Sequence, residues 1–186
     1  MIVGYQHISA YPSFVKIDEG ESIAFAIEGK HLGEECVTLS SADATLEIFT
    51  SSSQVIEGMV HPVPGKSDFS VFMNAYPVGP VAELYWSDSI LPPPSRVRSV
   101  TCDGQTVGEG QYIMRNVTPG SSFKVIVEGD NVGFGNLIVT DNRIVVTRDL
   151  NLLNKVVFTV SRPSTVTDKD IEFMVRLDDT AVFLGY

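Results

Sequence analysis

The chain has 186 residues, of which 13 are Lys or Arg and 23 are Asp or Glu, for a formal charge of −10. That balance excludes the usual kind of nucleic-acid binder, which needs a basic face against phosphate, and it sets the chain against acidic membranes. With 44% hydrophobic and 19% charged residues, the composition is that of a chain with a packed core, and the length suits one large or two small domains.

The N-terminal MIVGYQHISAYPSF has no basic leader, long apolar run or small-residue cleavage site, so no signal peptide is expected. No stretch reaches the apolar length of a membrane span. Cys36 and Cys102 are too few for a disulfide framework, and as free thiols they fit a reducing compartment. Synthesis in a cytoplasm is the expectation.

In chain order, period-two alternation of β-branched and aromatic residues predicts strands near Ile23–Glu28, Val37–Ser40, Thr45–Thr50, Val55–Val60, Phe69–Ala75 and Val81–Trp86. SDSILPPPS, Ser87–Ser95, then breaks the pattern, because Pro92, Pro93 and Pro94 cannot donate to a ladder and favour a stiff extended spacer. Strands resume near Arg96–Thr101, Phe123–Glu128, Leu137–Thr140, Arg143–Thr147, Lys155–Val160, Ile171–Leu177 and Val182–Tyr186, with a brief turn at Asn151–Lys155. No segment sustains a helical period. Short strands with turn signals every few residues predict an all-β sandwich architecture.

The two halves repeat. GESIAFAIEGKHLG from Gly20 aligns without a gap on GSSFKVIVEGDNVG from Gly120, so that Gly20, Gly29 and Gly33 recur as Gly120, Gly129 and Gly133. Further on the spacing slips by two, and DFSVFM at Asp68–Met73 matches DIEFMV at Asp170–Val175. A slip of that kind belongs in a loop. Two copies of about ninety residues fit two tandem immunoglobulin-like sandwiches, with domain one at 1–91, a Pro-rich linker at 92–95 and domain two at 96–186. The first copy carries three basic residues against twelve acidic ones, a balance of −9, and the second ten against eleven, a balance of −1.

The second copy, VTPGSSFKVIVEGDNVGFGNLIVTDNRIVVTRD, resembles bacterial-type immunoglobulin-like modules of the IPT/TIG kind. Pro119, Gly120, Gly129, Asn131 and Gly133 carry the pattern, while the first copy has Lys30 and His31 where the second has Asp130 and Asn131. Antibody-type domains are not resembled: Cys36 has Asn136 as its counterpart, and Trp86 ends a copy.

Chemistry is sparse. His7, His31 and His61 show no metal-ligand spacing, and neither a nucleophile elbow nor a phosphate cradle is present. Carboxylates gather at Glu34-Glu35, Asp168/Asp170 and Asp178-Asp179 without the spacing of a calcium loop. Catalytic residues, metal ligands and cofactors are therefore expected to be none. Asn116-Val117-Thr118 is a formal glycosylation sequon, which has no meaning without secretion. The aromatic candidates for surface contact are Tyr76, Tyr85, Trp86 and Phe134; core or cross-strand packing is the competing role.

Modules similar to these occur in bacterial surface proteins and in bacteriophage capsids, tails and fibres. The resemblance thus implies a non-enzymatic virion structural protein, foremost a capsid-decoration or head accessory protein that docks on a capsid lattice through one domain and projects the other. The near-neutral second copy, with ten basic residues to meet an acidic shell, is the expected docking domain. A tail, collar or fibre component is the first alternative, and a carbohydrate-binding or adhesion module the second.

Overall fold

A computed structural model describes residues 12–18, 20–30, 32, 37–76, 78–168 and 171–186. The chain divides into two compact units, Met1–Pro92 and Pro93–Tyr186.

The first unit contains β1 (Ser13–Lys16), β2 (Ile23–Glu28), β3 (Val37–Ser40), β4 (Ala44–Ser51), β5 (Val55–Pro62), β6 (Asp68–Ala75) and β7 (Gly79–Ser87). They form two sheets, ordered β1-β7-β6-β3 and β2-β5-β4, with β1 parallel to β7 and the other pairs antiparallel. The chain alternates between the sheets from β1 to β4, makes the β4–β5 hairpin, and crosses back to the β6–β7 hairpin, as in an immunoglobulin-like sandwich.

Alternation explains which face each strand buries. In β6, Phe69, Val71, Met73 and Ala75 are buried while the residues between them face out. Trp86 of β7 sits in this core, its indole stacked on Phe69 at 5.4 Å between ring centroids and met edge-on by Phe25 at 6.5 Å.

The second unit contains β8 (Arg96–Cys102), β9 (Gln105–Gly108), β10 (Ile113–Arg115), β11 (Ser122–Asp130), a 3₁₀ turn at Val132–Phe134, β12 (Leu137–Val139), β13 (Val145–Leu152), β14 (Lys155–Ser161), β15 (Phe173–Leu177) and β16 (Thr180–Gly185). Its sheets run β13-β14-β11-β8-β9 and β10-β16-β15-β12. The topology is that of the first unit plus the β8–β9 hairpin. Phe158, Phe173 and Phe183 lie fully buried at its centre.

The repeat extends to strand register. Ile23 pairs with Val60 and Glu28 with Val55, just as Phe123 pairs with Val160 and Glu128 with Lys155. A bulge interrupts β4 between Ile48 and Thr50, and another interrupts β13 between Arg148 and Leu150. Leu39 pairs with Met73 and Val139 with Val175, so the two-residue slip falls between β5 and β6, and between β14 and β15.

Three strands escape the sequence reading: β1, β9 and β10 are three or four residues long and lie at sheet edges. The strand expected from Arg143 begins only at Val145. Asp141 is the reason. Its carboxylate accepts the Arg143 amide at 2.9 Å and the Arg143 guanidinium at 2.6 Å, holding these residues in a turn.

Candidate functional site: exposed faces and loop ends

The turn positions singled out by the repeat serve the fold. Gly20 and Gly120 have φ of 75° and 83°, a region that favours glycine. Gly129 is required for a different reason: a Cβ there would stand 2.0 Å from the Arg96 carbonyl oxygen, where β8 crosses. Asn131 heads the 3₁₀ turn in a left-handed conformation and donates through Nδ2 to the Pro94 carbonyl at 3.3 Å. The Gly133 amide bonds to the Leu153 carbonyl at 3.0 Å. Gly33, His7, His31, Cys36, Glu34, Glu35 and Asp170 lie outside the described residues.

Among the described residues no group of three or more His, Cys, Asp or Glu side chains converges as a metal site would require. His61 bonds Ser22 Oγ at 2.8 Å and faces Glu47 at 3.4 Å, as a cross-strand surface group. Cys102 is buried, and desolvation pushes its thiol pKa up, away from the reactive thiolate. Two shallow concavities have volumes of about 170 and 280 Å³, below the range of about 300–1,000 Å³ usual for ligand sites. The larger is floored by Arg162, whose guanidinium is committed to the backbone carbonyls of Val117, Val166 and Asp168.

The aromatic candidates separate cleanly. Trp86 is 1% exposed and belongs to the core, so it is not a surface-contact residue; its position at a strand end concealed an inward-facing phase. Phe134 is half-buried within the 3₁₀ turn. Tyr85 packs on Phe14 at 6.1 Å, and burial raises its pKa. Tyr76, just past β6, stands 84% exposed.

A second arrangement was invisible in the sequence. On the outer face of the second unit's β10-β16-β15-β12 sheet, Met114 is opposite Leu184, Leu184 is opposite Met174, and the Met174 backbone carbonyl accepts the Thr140 amide at 3.0 Å. Beside this row stands Ile138, opposite Arg176. Met114 and Ile138 are 51% and 49% exposed, and Leu184 and Met174 are half-buried.

The corresponding face of the first unit is mixed, with the half-buried Phe72 at the place of Met174 and Tyr85 on the same side of β7. Thr38, Ser40 and Glu83 occupy the places of Ile138, Thr140 and Leu184 in the registers. Asn74 Nδ2 donates to Ser40 Oγ at 2.7 Å, and Ser70 Oγ donates to Glu83. The two faces thus differ at two paired places, where Thr38 and Glu83 of the first unit give way to Ile138 and Leu184 of the second.

The second unit's basic residues are engaged within it. Arg96 holds Glu109 at 2.8 Å, Arg98 holds Asp130 at 2.5 Å, Lys155 holds Glu128 at 3.3 Å, and Arg143 lies between Asp141 and Asp168. Arg115 donates to the Cys102 carbonyl, Arg148 to that of Gly135 and Arg176 to that of Asp179. With Arg162, that accounts for eight of the ten. The charge expected to meet an acidic shell is thus largely balanced within the unit, whose net charge is −1.

No family model matches the chain, and no curated protein matches it. Solved structures similar to it include domains 5-6 of the S-layer protein SbsC (9% identity, 97% of this chain and 94% of that one, TM-score 0.31) and the Yersinia pseudotuberculosis adhesin InvE (11% identity, 95% and 57%, TM-score 0.33). A titin I9-I11 tandem is similar too, at 11% identity, 96% and 64% coverage and a TM-score of 0.31. At such scores the immunoglobulin-like assignment stands on the sheet order and registers above. No helix among the described residues is long and apolar enough to cross a membrane.

Proposed function

We propose that the chain is a non-enzymatic attachment protein that docks through the outer β10-β16-β15-β12 face of its second unit. The observation that carries this is the row Met114, Leu184 and Met174 with Ile138 beside it, in which Ile138 and Leu184 stand where the first unit has Thr38 and Glu83. Met114 and Ile138 supply the exposed apolar surface that a docked partner would cover.

Its size bears on the setting. Four strands about 4.8 Å apart, presenting two residues each, offer on the order of 200 Å², against roughly 800 Å² per partner in a stable interface. One such contact is weak on its own. The setting we propose, from the likeness of the second copy to IPT/TIG-like modules, is a virion shell, with the chain as a capsid-decoration or head accessory protein and the −9 unit projecting into solvent.

The test is quantitative mass spectrometry of purified particles from the source. Amounts near those of the shell protein support decoration; a handful of copies moves the chain to tail or collar; absence overturns the virion setting and leaves a free-standing adhesion module.

A further inference from the structure

The second unit's larger concavity, about 280 Å³, lies where the chain runs on from β10 and from β14. Tyr186 is fixed there beside Asn116. Its amide donates to the Arg115 carbonyl at 3.1 Å, and its carbonyl accepts the Val117 amide at 2.8 Å. Both side chains line the concavity, together with Thr118 and Pro119. Thr167 and Asp168 line it from the loop between β14 and β15, which carries the two extra residues of this copy.

Arg162 ties these parts together. Its Nη1 donates to the Val117 carbonyl at 2.7 Å, its Nε to the Val166 carbonyl at 2.9 Å, and its Nη2 to the Asp168 carbonyl. By strand register the first unit has Pro62 at this place, which cannot make such a tie. Arg162 is buried, yet its acceptors are neutral carbonyls and it makes no ion pair among the described residues. Three bonds leave one N–H on each of Nη1 and Nη2 unused at the floor. The Asp168 carboxylate, held by Arg143, lines the same space.

We infer that this concavity is a saccharide site, which takes one neutral sugar ring of a glycan chain. Among the described residues its lining holds one cation and one carboxylate, so an anion meets Asp168 and a cation meets Arg162. A neutral polyhydroxyl suits both. Its hydroxyls donate to the Asp168 carboxylate and accept from the Arg162 N–H groups and the Asn116 amide. Tyr186, 51% exposed, offers a ring to the C–H face of the sugar. The volume falls below that of sites for drug-sized ligands, as a site for a single ring should. Because Arg162 already holds the backbone on both sides, little ordering is left to be done on binding. The site needs no docked partner, so it stands or falls apart from the sheet-face reading.

The experiment follows amide spectra of the isotopically labelled intact chain during titration with neutral hexoses, deoxyhexoses and N-acetylhexosamines. At least one sugar should shift the amides of Asn116, Val117, Thr118, Thr167 and Asp168 together, to saturation. Its uronic-acid and amino-sugar counterparts should bind no more tightly. Tyr186→Ala and Asn116→Ala alter exposed positions and should keep the parental unfolding curve. Each should weaken the best sugar roughly tenfold. No shift with any sugar, shifts scattered over the unit, a charged counterpart that binds more tightly, or binding indifferent to both variants would overturn the inference.

Discussion

Gly29 and Gly129 occupy one place in two sandwiches: the Gly29 amide donates to the Gln54 carbonyl at 2.9 Å, and the Gly129 amide to the Asn154 carbonyl at 3.1 Å. A Cβ added at either glycine would meet the apolar side chain three residues on, Leu32 in one unit and Val132 in the other. Their surroundings differ in one respect that matters for substitution. At Gly29 a Cβ would meet the flexible end of Leu32 at 3.1 Å, whereas at Gly129 it would meet the rigid Arg96 carbonyl at 2.0 Å.

Gly129→Ala should therefore force β8 off β11 and destabilise the second unit by about 2–3 kcal/mol. Gly29→Ala should cost about 1 kcal/mol or less. Urea unfolding of both variants checks this, and equal losses would contradict the assignment of the β8 crossing as the reason.

Trp86→Ala removes a stacked, fully buried indole and should cost about 3–5 kcal/mol. Tyr76→Ala, at an exposed position, should change stability by roughly 0.5 kcal/mol at most. The pair of melting curves separates core from contact aromatics. A small loss at position 86 would return that residue to the surface.

Arg143 holds the Asp141 carboxyl at a pKa of about 2, and Arg98 and Arg96 hold Asp130 and Glu109 below their usual values. Folded-state values below the unfolded ones mean that these pairs stabilise the second unit fully above about pH 5. The contribution disappears as pH falls from there toward 2. The stability gap between the parent chain and Arg143→Gln should accordingly be present at pH 7 and close by about pH 2; a gap that widens on acidification would reverse the sign. Raised salt should shrink it.

Cys102 is buried, with its thiol pKa raised by desolvation. Iodoacetamide should leave it unlabelled in the native chain and modify it once urea unfolds the second unit. Peptide mapping reads the site, and fast native labelling would contradict the packing of β8.

Much of the fold was legible in the residues. β2 and β3 occupy the predicted spans Ile23–Glu28 and Val37–Ser40, because alternation and turn glycines act within a few residues of one another. Edge strands such as β10 are defined by pairing with a distant strand, and three residues hold too little pattern to announce it. The apolar face was unreadable for a related reason. It gathers Met114, Ile138, Met174 and Leu184 from four strands, whose spacings relative to the first unit are 102, 100, 102 and 101 in turn. Trp86 shows the reverse failure, in which a period of two left its phase open at a strand end and only the facing Phe25 and Phe69 decide it.

Attachment through the second unit's sheet face is the central claim, and one measurement tests it most directly. Particles assembled with the parent chain or with a Met114→Lys/Ile138→Lys chain are purified, and each chain is counted against the shell protein by mass spectrometry. The account predicts near-stoichiometric loading of the parent and a fall of roughly tenfold or more for the variant. Equal loading of the two chains, or a parent chain absent from the particles, would contradict it.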